Sequence, residues 1–460
     1  MGHSHVHNDA EPSAQAAATR RRANRLLAAI LIPMTLAAIV GMFLLWPSGA
    51  ADDVEVGNPY STAEGVSFQI GTVERTSIAT CLYPSSEATA DQQCLVAHIA
   101  PDRGGAIADV EIPPEVIREV DVKVGDRIRF LDLGTSGEAA LSQYSFIDFV
   151  RTVPMALLAG IYAAVVVLVA RWRGFRALLG LAGAYLVVAQ FILPGLIEGK
   201  PALLLGLVGS SVIMIGVLYF AHGFSARTST ALLGTIFGLV TTSLIAAWAT
   251  GTLHLTGLND DADYTLSYAS GSISLSAILL CGLIISGLGV LNDVTITQSS
   301  AVWEMHELAP DSSWRRLFAG AMRVGRDHIA STVYTIVFAY AGAALPLLIL
   351  LTLQERPIVE TITSGELAEE IVRTLVGSIG LVLAIPVTTL IAVLVVKAVG
   401  SGTTATASVA DDTDVTADPT GSRALAAEID HETPRTRREK RREEAAREQS
   451  SWGPSRWDDD

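Results

Sequence analysis

Asp293, Thr297, Ser300 and Glu304 recur at intervals of three and four residues just beyond an apolar run. On a helix they fall on one face, while Val294, Ile296, Ala301 and Met305 line others. Two carboxylates and two hydroxyls on one stripe can coordinate a cation, carry a proton or line a polar path. The same spacing suits an amphipathic helix lying on a membrane with Trp303 at the interface, and the residues alone support both readings. Farther on, Asp327 and His328 stand together at the start of another apolar run. An acid beside an imidazole can relay a proton or help hold an ion. An acid in a first helical turn is also favoured by the macrodipole, which asks for no chemistry.

Other reactive residues fall short of a constellation. The alternating His3, His5 and His7 lie in a polar terminus with no partner cluster, and Asp260, Asp261 and Asp263 lack the glycine and spacing of a calcium loop. His222 at the inner end of an apolar run, near Arg227 and Thr228, suits a headgroup or anion contact less well than a bend. His306-Glu307 begins like a zinc-protease motif, but Pro310 stands where the second histidine belongs. A phosphate-binding loop, a nucleophile elbow and a Cys-x-x-Cys pair are all missing. These absences predict no enzyme, no metal and no cofactor. A membrane-embedded lipid enzyme would need an acid and a base to converge from among Asp293, Glu304, Asp327 and His328. Without a basic, aromatic-laced face, nucleic acid is not an expected partner.

The elements that must position these residues are membrane helices. Half of the 460 residues are hydrophobic, only 17% are charged, and the mean hydropathy is +0.42. Apolar runs of bilayer-spanning length occur at about eight places: 26–46, 153–170, 177–197, 202–221, 231–250, 273–291, 329–353 and 375–399. The expected fold is a polytopic α-helical membrane bundle with a β-rich domain inserted between the first and second spans. Its parts are a cytoplasmic tail 1–25, a first transmembrane anchor 26–46, an extracytoplasmic domain 51–148, a seven-span domain 153–399 and a disordered cytoplasmic tail 400–460. Arg20, Arg21, Arg22 and Arg25, then Arg171, Arg173 and Arg176, Arg227, Arg315, Arg316, Arg323 and Arg326, and Lys397 all fall on one side of alternating crossings. Positive residues are retained inside, so both termini are expected to be cytoplasmic. Lys200, Arg356 and Arg373 dissent. The first run resembles a signal peptide in its basic start and small-residue finish, but its length and the stop at Trp46-Pro47 favour an uncleaved anchor.

Residues 51–148 should be mostly strand. The stretches 66–70, 73–78, 96–99, 107–112 and 120–131 are β-branched and are separated by turn-formers, with Gly125-Asp126 as a hairpin turn between alternating apolar positions. A compact five-strand barrel of the OB type is the expected shape, serving as a ligand platform or as a cap on the bundle. Two of the three cysteines, Cys81 and Cys94, lie here and can close a short loop in an oxidising compartment; two unpaired core thiols are the alternative. The third, Cys281, sits inside an apolar run as a small packing residue. Glycine pairs such as Gly234 with Gly238, Gly206 with Gly209 and Gly377 with Gly380 allow helices to approach closely. After residue 400 the chain is polar and acidic, then dense in both charges around Arg435 to Arg442, where contact with anionic lipid is one reading and a solvated tail the simpler one.

A series of landmarks runs through residues 60–400 in order. These are VKVGDRIRFLDL, FIDFVR, RGFRALLGL, FILPGLIEGKPA and HGFSARTSTALLGT, followed by SGLGVLNDVTITQSSAVWEM and VGRDHIASTVYTIVFAYAGAALPLLIL. In this order they resemble the YibE/F family of bacterial multi-pass membrane proteins. The resemblance implies a plasma-membrane protein joining an outer β-rich portion to a helical bundle, in a family without a firmly established activity. The function expected from the residues is a transporter or permease with a polar site at the end of the sixth span. The alternative is a non-transporting scaffold or signalling protein whose outer domain binds a partner. The expected partners are the lipid bilayer and a solute or protein, and a homo-oligomer is left open.

Overall fold

The computed structural model describes residues 14–49, 66–81, 93–134, 143–258, 261–269, 273–353 and 357–400. Expectations for the three N-terminal histidines, for Asp260 and for the tail after residue 400 fall outside the described residues.

The described residues begin with helix α1 (Ala14–Leu44), and a small barrel follows. Its strands are β1 (Ser67–Thr80), β2 (Gln93–Pro101), β3 (Ala108–Ile112), β4 (Arg127–Asp132) and β5 (Tyr144–Phe149), with the short helix α2 (Pro114–Glu119) between β3 and β4. The strands close in the order β1-β2-β3-β5-β4, antiparallel except where β3 meets β5. Period-two alternation turns Ala108, Val110 and Ile112 inward and leaves Asp109 outside. These join Val73, Ala97, Ile99, Ile128 and Phe130 in one core.

The two stretches 66–70 and 73–78 merge into β1, whose register shifts between Val73 and Arg75. Gly71 permits this closure, because a Cβ there would lie 2.4 Å from the carbonyl oxygen of Ala100. Gly125-Asp126 is not a hairpin turn. It leads into β4 and docks on β1, with Gly125 N donating to Val73 O at 2.8 Å and Val73 N donating to Asp126 O at 2.9 Å. Residues 144–149, read from the sequence only as the approach to a span, supply the fifth strand.

Six helices among the described residues are long and apolar enough to cross a membrane: Asn24–Leu44, Thr152–Ile197, Ala202–His222, Ala226–Thr252, Leu275–Leu308 and Gly365–Ala398. The first lies within α1; α5 (Ala202–His222) and α6 (Ala226–Thr252) are continuous. The second comprises α3 (Thr152–Val187), a π turn at Val188–Ile192 and α4 (Leu193–Ile197). The short α7 (Asp261–Ala269) follows α6, and α8 (Leu275–Ser286) breaks at Gly287 before α9 (Leu288–Leu308). A seventh candidate is the pair α10 (Trp314–Ala343) and α11 (Leu345–Leu353), bent by 63°. The short α12 (Ile358–Ile362) precedes α13 (Gly365–Gly400).

Eight separate runs therefore become six helices and one bent pair, because runs 153–170 and 177–197 share Thr152–Ile197. That helix is broken at Arg171, where φ is 54° and ψ is −135°. A Cβ on Gly174 would lie 2.5 Å from the carbonyl oxygen of Val166, although eight residues of straight helix span about 12 Å. The chain thus folds back on itself at the arginine.

Small residues set the helix spacing elsewhere. A Cβ on Gly234 would meet Thr388 Oγ1 at 1.9 Å, and one on Gly238 would meet Leu291 at 2.6 Å, so α6 lies directly against α13 and α9.

Candidate functional site

Ser274 starts α8 by accepting from Ala277 N at 3.3 Å, and α9 carries the chain on into a packed position against α6, α10 and α13. The buried polar face of α9 consists of Thr295, Gln298 and Ser299. Thr295 and Thr235 hydroxyls meet at 2.6 Å, and Ser299 Oγ donates to Arg227 O at 2.9 Å, tying α9 to α6. Gln298 Nε2 donates to Ala321 O at 2.9 Å and to Thr389 Oγ1 at 2.7 Å, tying α9 to α10 and α13. Polar groups among apolar helices act here as glue. Trp303 packs in a cluster with Val302, Leu317 and Val393, so this helix is a member of the bundle.

The stripe of Asp293, Thr297, Ser300 and Glu304 lies on another face. Only its first member reaches a second titratable group. Asp293 Oδ2 stands 3.7 Å from His328 Nε2, with the carboxylate side chain 67% exposed and the imidazole 28% exposed. His328 Nε2 has no hydrogen-bond partner. Thr297 and Glu304 are exposed, Ser300 Oγ donates to Ile296 O of its own helix at 2.7 Å, and Asp327 is exposed on α10.

Asp293 and His328 line a cavity of about 420 Å³ together with Thr335, Tyr340, Arg373 and Gly377. A second cavity, of about 880 Å³, shares Tyr340 and Arg373 and adds Asp263, Glu366, Glu369 and Glu370. Glu369 is buried and accepts from Gly257 N at 2.9 Å, while Glu370 pairs with Arg373. Cavity wall therefore follows α10 from His328 past Tyr340, about 18 Å of helical rise, to the acidic start of α13; it is mostly apolar around Asp293 and His328 and becomes more polar at Glu366, Glu369 and Glu370. In the sequence Arg373 stands out only as a cation against the charge pattern. The signal was present in Glu366, Glu369, Glu370 and Arg373, which recur at helical spacing just ahead of the last apolar run.

Two further arrangements belong to the barrel. Cys81 and Cys94 are joined by a disulfide with their Cα atoms 4.9 Å apart. The carboxylate of Glu111 lies within 4.8 Å of both sulfurs, but sulfurs bonded to each other offer no thiolate to a metal. On the outer face, Ser77 Oγ lies 2.8 Å from His98 Nε2, and His98 Nδ1 lies 2.5 Å from Asp109 Oδ1. This is the order of groups in a nucleophilic triad, placed across β1, β2 and β3 so that it also laces the three strands together. Sequence reasoning missed it, because its members are single outward positions on separate strands.

Apolar, closely packed helices joined to a small barrel, with a carboxylate and an imidazole facing one cavity, make a multi-helix fold whose longer helices are compatible with a membrane. Residues 158–398, just over half of the chain, match the family model for YibE/F-like protein, and the chain belongs to that family. No curated protein and no solved structure matches it.

Proposed function

We propose that this chain is a bacterial plasma-membrane transporter or permease that moves a solute along the two adjoining cavities between α9, α10 and α13. Asp293 and His328 are its exchangeable site. The observation that carries this reading is their approach to 3.7 Å within a cavity that shares Tyr340 and Arg373 with a second, acidic one. Ionisable groups at membrane depth are costly and are retained where something uses them. An imidazole and a carboxylate 3.7 Å apart need only a small closing movement to exchange a proton.

In this reading the chain makes eight crossings, with Thr152–Ile197 crossing twice about the break at Arg171. Both termini are cytoplasmic and residues 51–148 lie outside. The distribution of charge supports that orientation. The starts of α1 and α6 line one groove, Ser299 reaches Arg227, and Lys397 reaches Pro310, so Arg176, Arg227, Lys397 and the α9–α10 turn share one end. Glu198 and Glu369 mark the other. The chemistry of the site is ion or proton exchange, with no bond made or broken in the solute.

The test is the Asp293→Asn variant, which keeps the shape of the side chain and removes its charge. Proteoliposomes holding a trapped pH dye are given a pH step and an imposed potential. The wild type is expected to pass protons faster than empty vesicles, and Asp293→Asn and His328→Gln to return the rate to that of empty vesicles. The same two variants should insert at normal abundance and fail to restore whatever phenotype loss of the protein causes. Tight wild-type vesicles together with full complementation by Asp293→Asn would remove the transport reading and favour a scaffold whose barrel binds a partner.

A further inference from the structure

A cavity larger than the two above lies away from the site. It is a groove of about 1090 Å³ between α1, the second half of α3, α5 and the start of α6. Its walls are apolar, supplied by Leu27, Leu31 and Ile39 from α1 and by Ile215 and Phe220 from α5. From Asn24 to Ile39 the wall rises about 22 Å, more than the roughly 15 Å of hydrocarbon in one leaflet.

One end of this groove is cationic. Arg176 lines it, its guanidinium 5.7 Å from the centre of the Trp172 ring, and among the described residues it has no carboxylate partner. No lining residue is acidic. The first turn of α6, at Ser225 and Ala226, opens at the same end, and its N–H groups beyond the Ser225 cap have no acceptor within the helix. Arg173 and Arg227 stand close enough to act electrostatically on the neighbouring His222. An unpaired guanidinium is a fork of donors that fits a phosphate oxygen pair.

We infer that this groove binds an anionic phospholipid, with its phosphate on Arg176 and the first turn of α6 and one acyl chain laid along α1 and α5. A free anion would gain nothing from an apolar wall of this length. A zwitterionic lipid would gain the wall but less from the cationic mouth, because its own ammonium offsets the phosphate.

The test uses the full chain in a mild non-ionic detergent, with phosphatidylglycerol or phosphatidylcholine added and bound lipid counted by native mass spectrometry. Phosphatidylglycerol should be retained at about tenfold lower concentration than phosphatidylcholine, the size of one charge-assisted hydrogen bond. Arg176→Gln should erase that preference, and Arg176→Lys should keep part of it. Gly216 lines the groove, and a Cβ added there meets nothing within 4 Å, so Gly216→Phe grows into the groove and should displace both lipids. Equal retention of the two lipids, unchanged by Arg176→Gln, would overturn the inference. So would a dimer that Gly216→Phe dissociates, since a second copy would then occupy the groove.

Discussion

Asp293 and His328 were legible as candidates because an ionisable side chain beside an apolar run carries a desolvation cost that stands out in any hydropathy reading. Their partnership was not legible, since it depends on how α9 and α10 pack. Glu198 shows the reverse case, an acid that the sequence placed in a short loop without comment. Its carboxylate accepts from Ser48 N at 2.7 and 3.0 Å, from Gly49 N at 3.1 Å and from Ser48 Oγ at 3.1 Å, and pairs with Lys200 at 3.2 Å. Lys200 in turn donates to the carbonyls of Leu45 and Trp46, so the loop clasps the end of α1. Hydrogen bonds from Ser48 backbone, then from Lys200 and the Ser48 side chain, hold this carboxyl at about 2, below its ordinary value of 4.5. A depressed carboxylate contributes stability that is fully present above its unfolded value and is lost as pH falls through the folded one. The difference in melting temperature between wild type and Glu198→Gln should therefore be largest above pH 4.5 and shrink as pH falls toward 2. A difference that stays constant across that window would mean the clasp does not depend on charge.

At the scale of elements, spacing in the sequence predicted contacts better than it predicted breaks. Gly234 and Gly238 were recognisable as a close-packing pair, and both face a neighbour that leaves no room for a side chain. Gly377 belongs to a similar pair, yet it has open space and lines the smaller cavity, because a glycine pattern does not say which face meets a helix. The break at Arg171 falls between runs 153–170 and 177–197, where the arginines marked it, whereas the bend between α10 and α11 was hidden inside the single run 329–353. β5 was hidden by its length and by its place next to an apolar run. The packing at Gly234 has a measurable consequence. Thr388 Oγ1 and Cβ would lie 1.9 and 2.8 Å from a new methyl, and rotating the hydroxyl relieves only the first contact. Gly234→Ala should thus push α6 and α13 apart and destabilise the bundle by about 1–3 kcal/mol, the usual cost of overpacking. Gly216→Ala serves as the control and should be silent in the same thermal denaturation in detergent. Equal melting of the two variants would mean that the contact yields without strain.

Over the whole molecule, the two ends of the helices differ in charge, and this difference was readable from the arginines long before any contact was known. What the sequence left open was whether those arginines gather at one end in space. Ser299 with Arg227, Lys397 with Pro310 and Arg176 in the groove beside α1 bring them together through separate helix pairs. The barrel follows the opposite end of α1 in the chain, so in the orientation proposed above it lies on the outer side. Its Cys81–Cys94 bridge suits an oxidising compartment, and Cys281 is buried, so the chain has no accessible thiol of its own among the described residues. Single cysteines then report topology against a quiet background. Arg103→Cys, exposed in the turn after β2, should react with a membrane-impermeant maleimide on intact cells. Arg315→Cys, exposed at the start of α10, should react only after the membrane is opened. The opposite pattern would invert the molecule, place the barrel in the cytoplasm and turn the acidic cavity at the start of α13 toward the inside. Reaction at both positions in intact cells would show an even number of crossings between them, with the broken helix at Arg171 then counting as a single crossing.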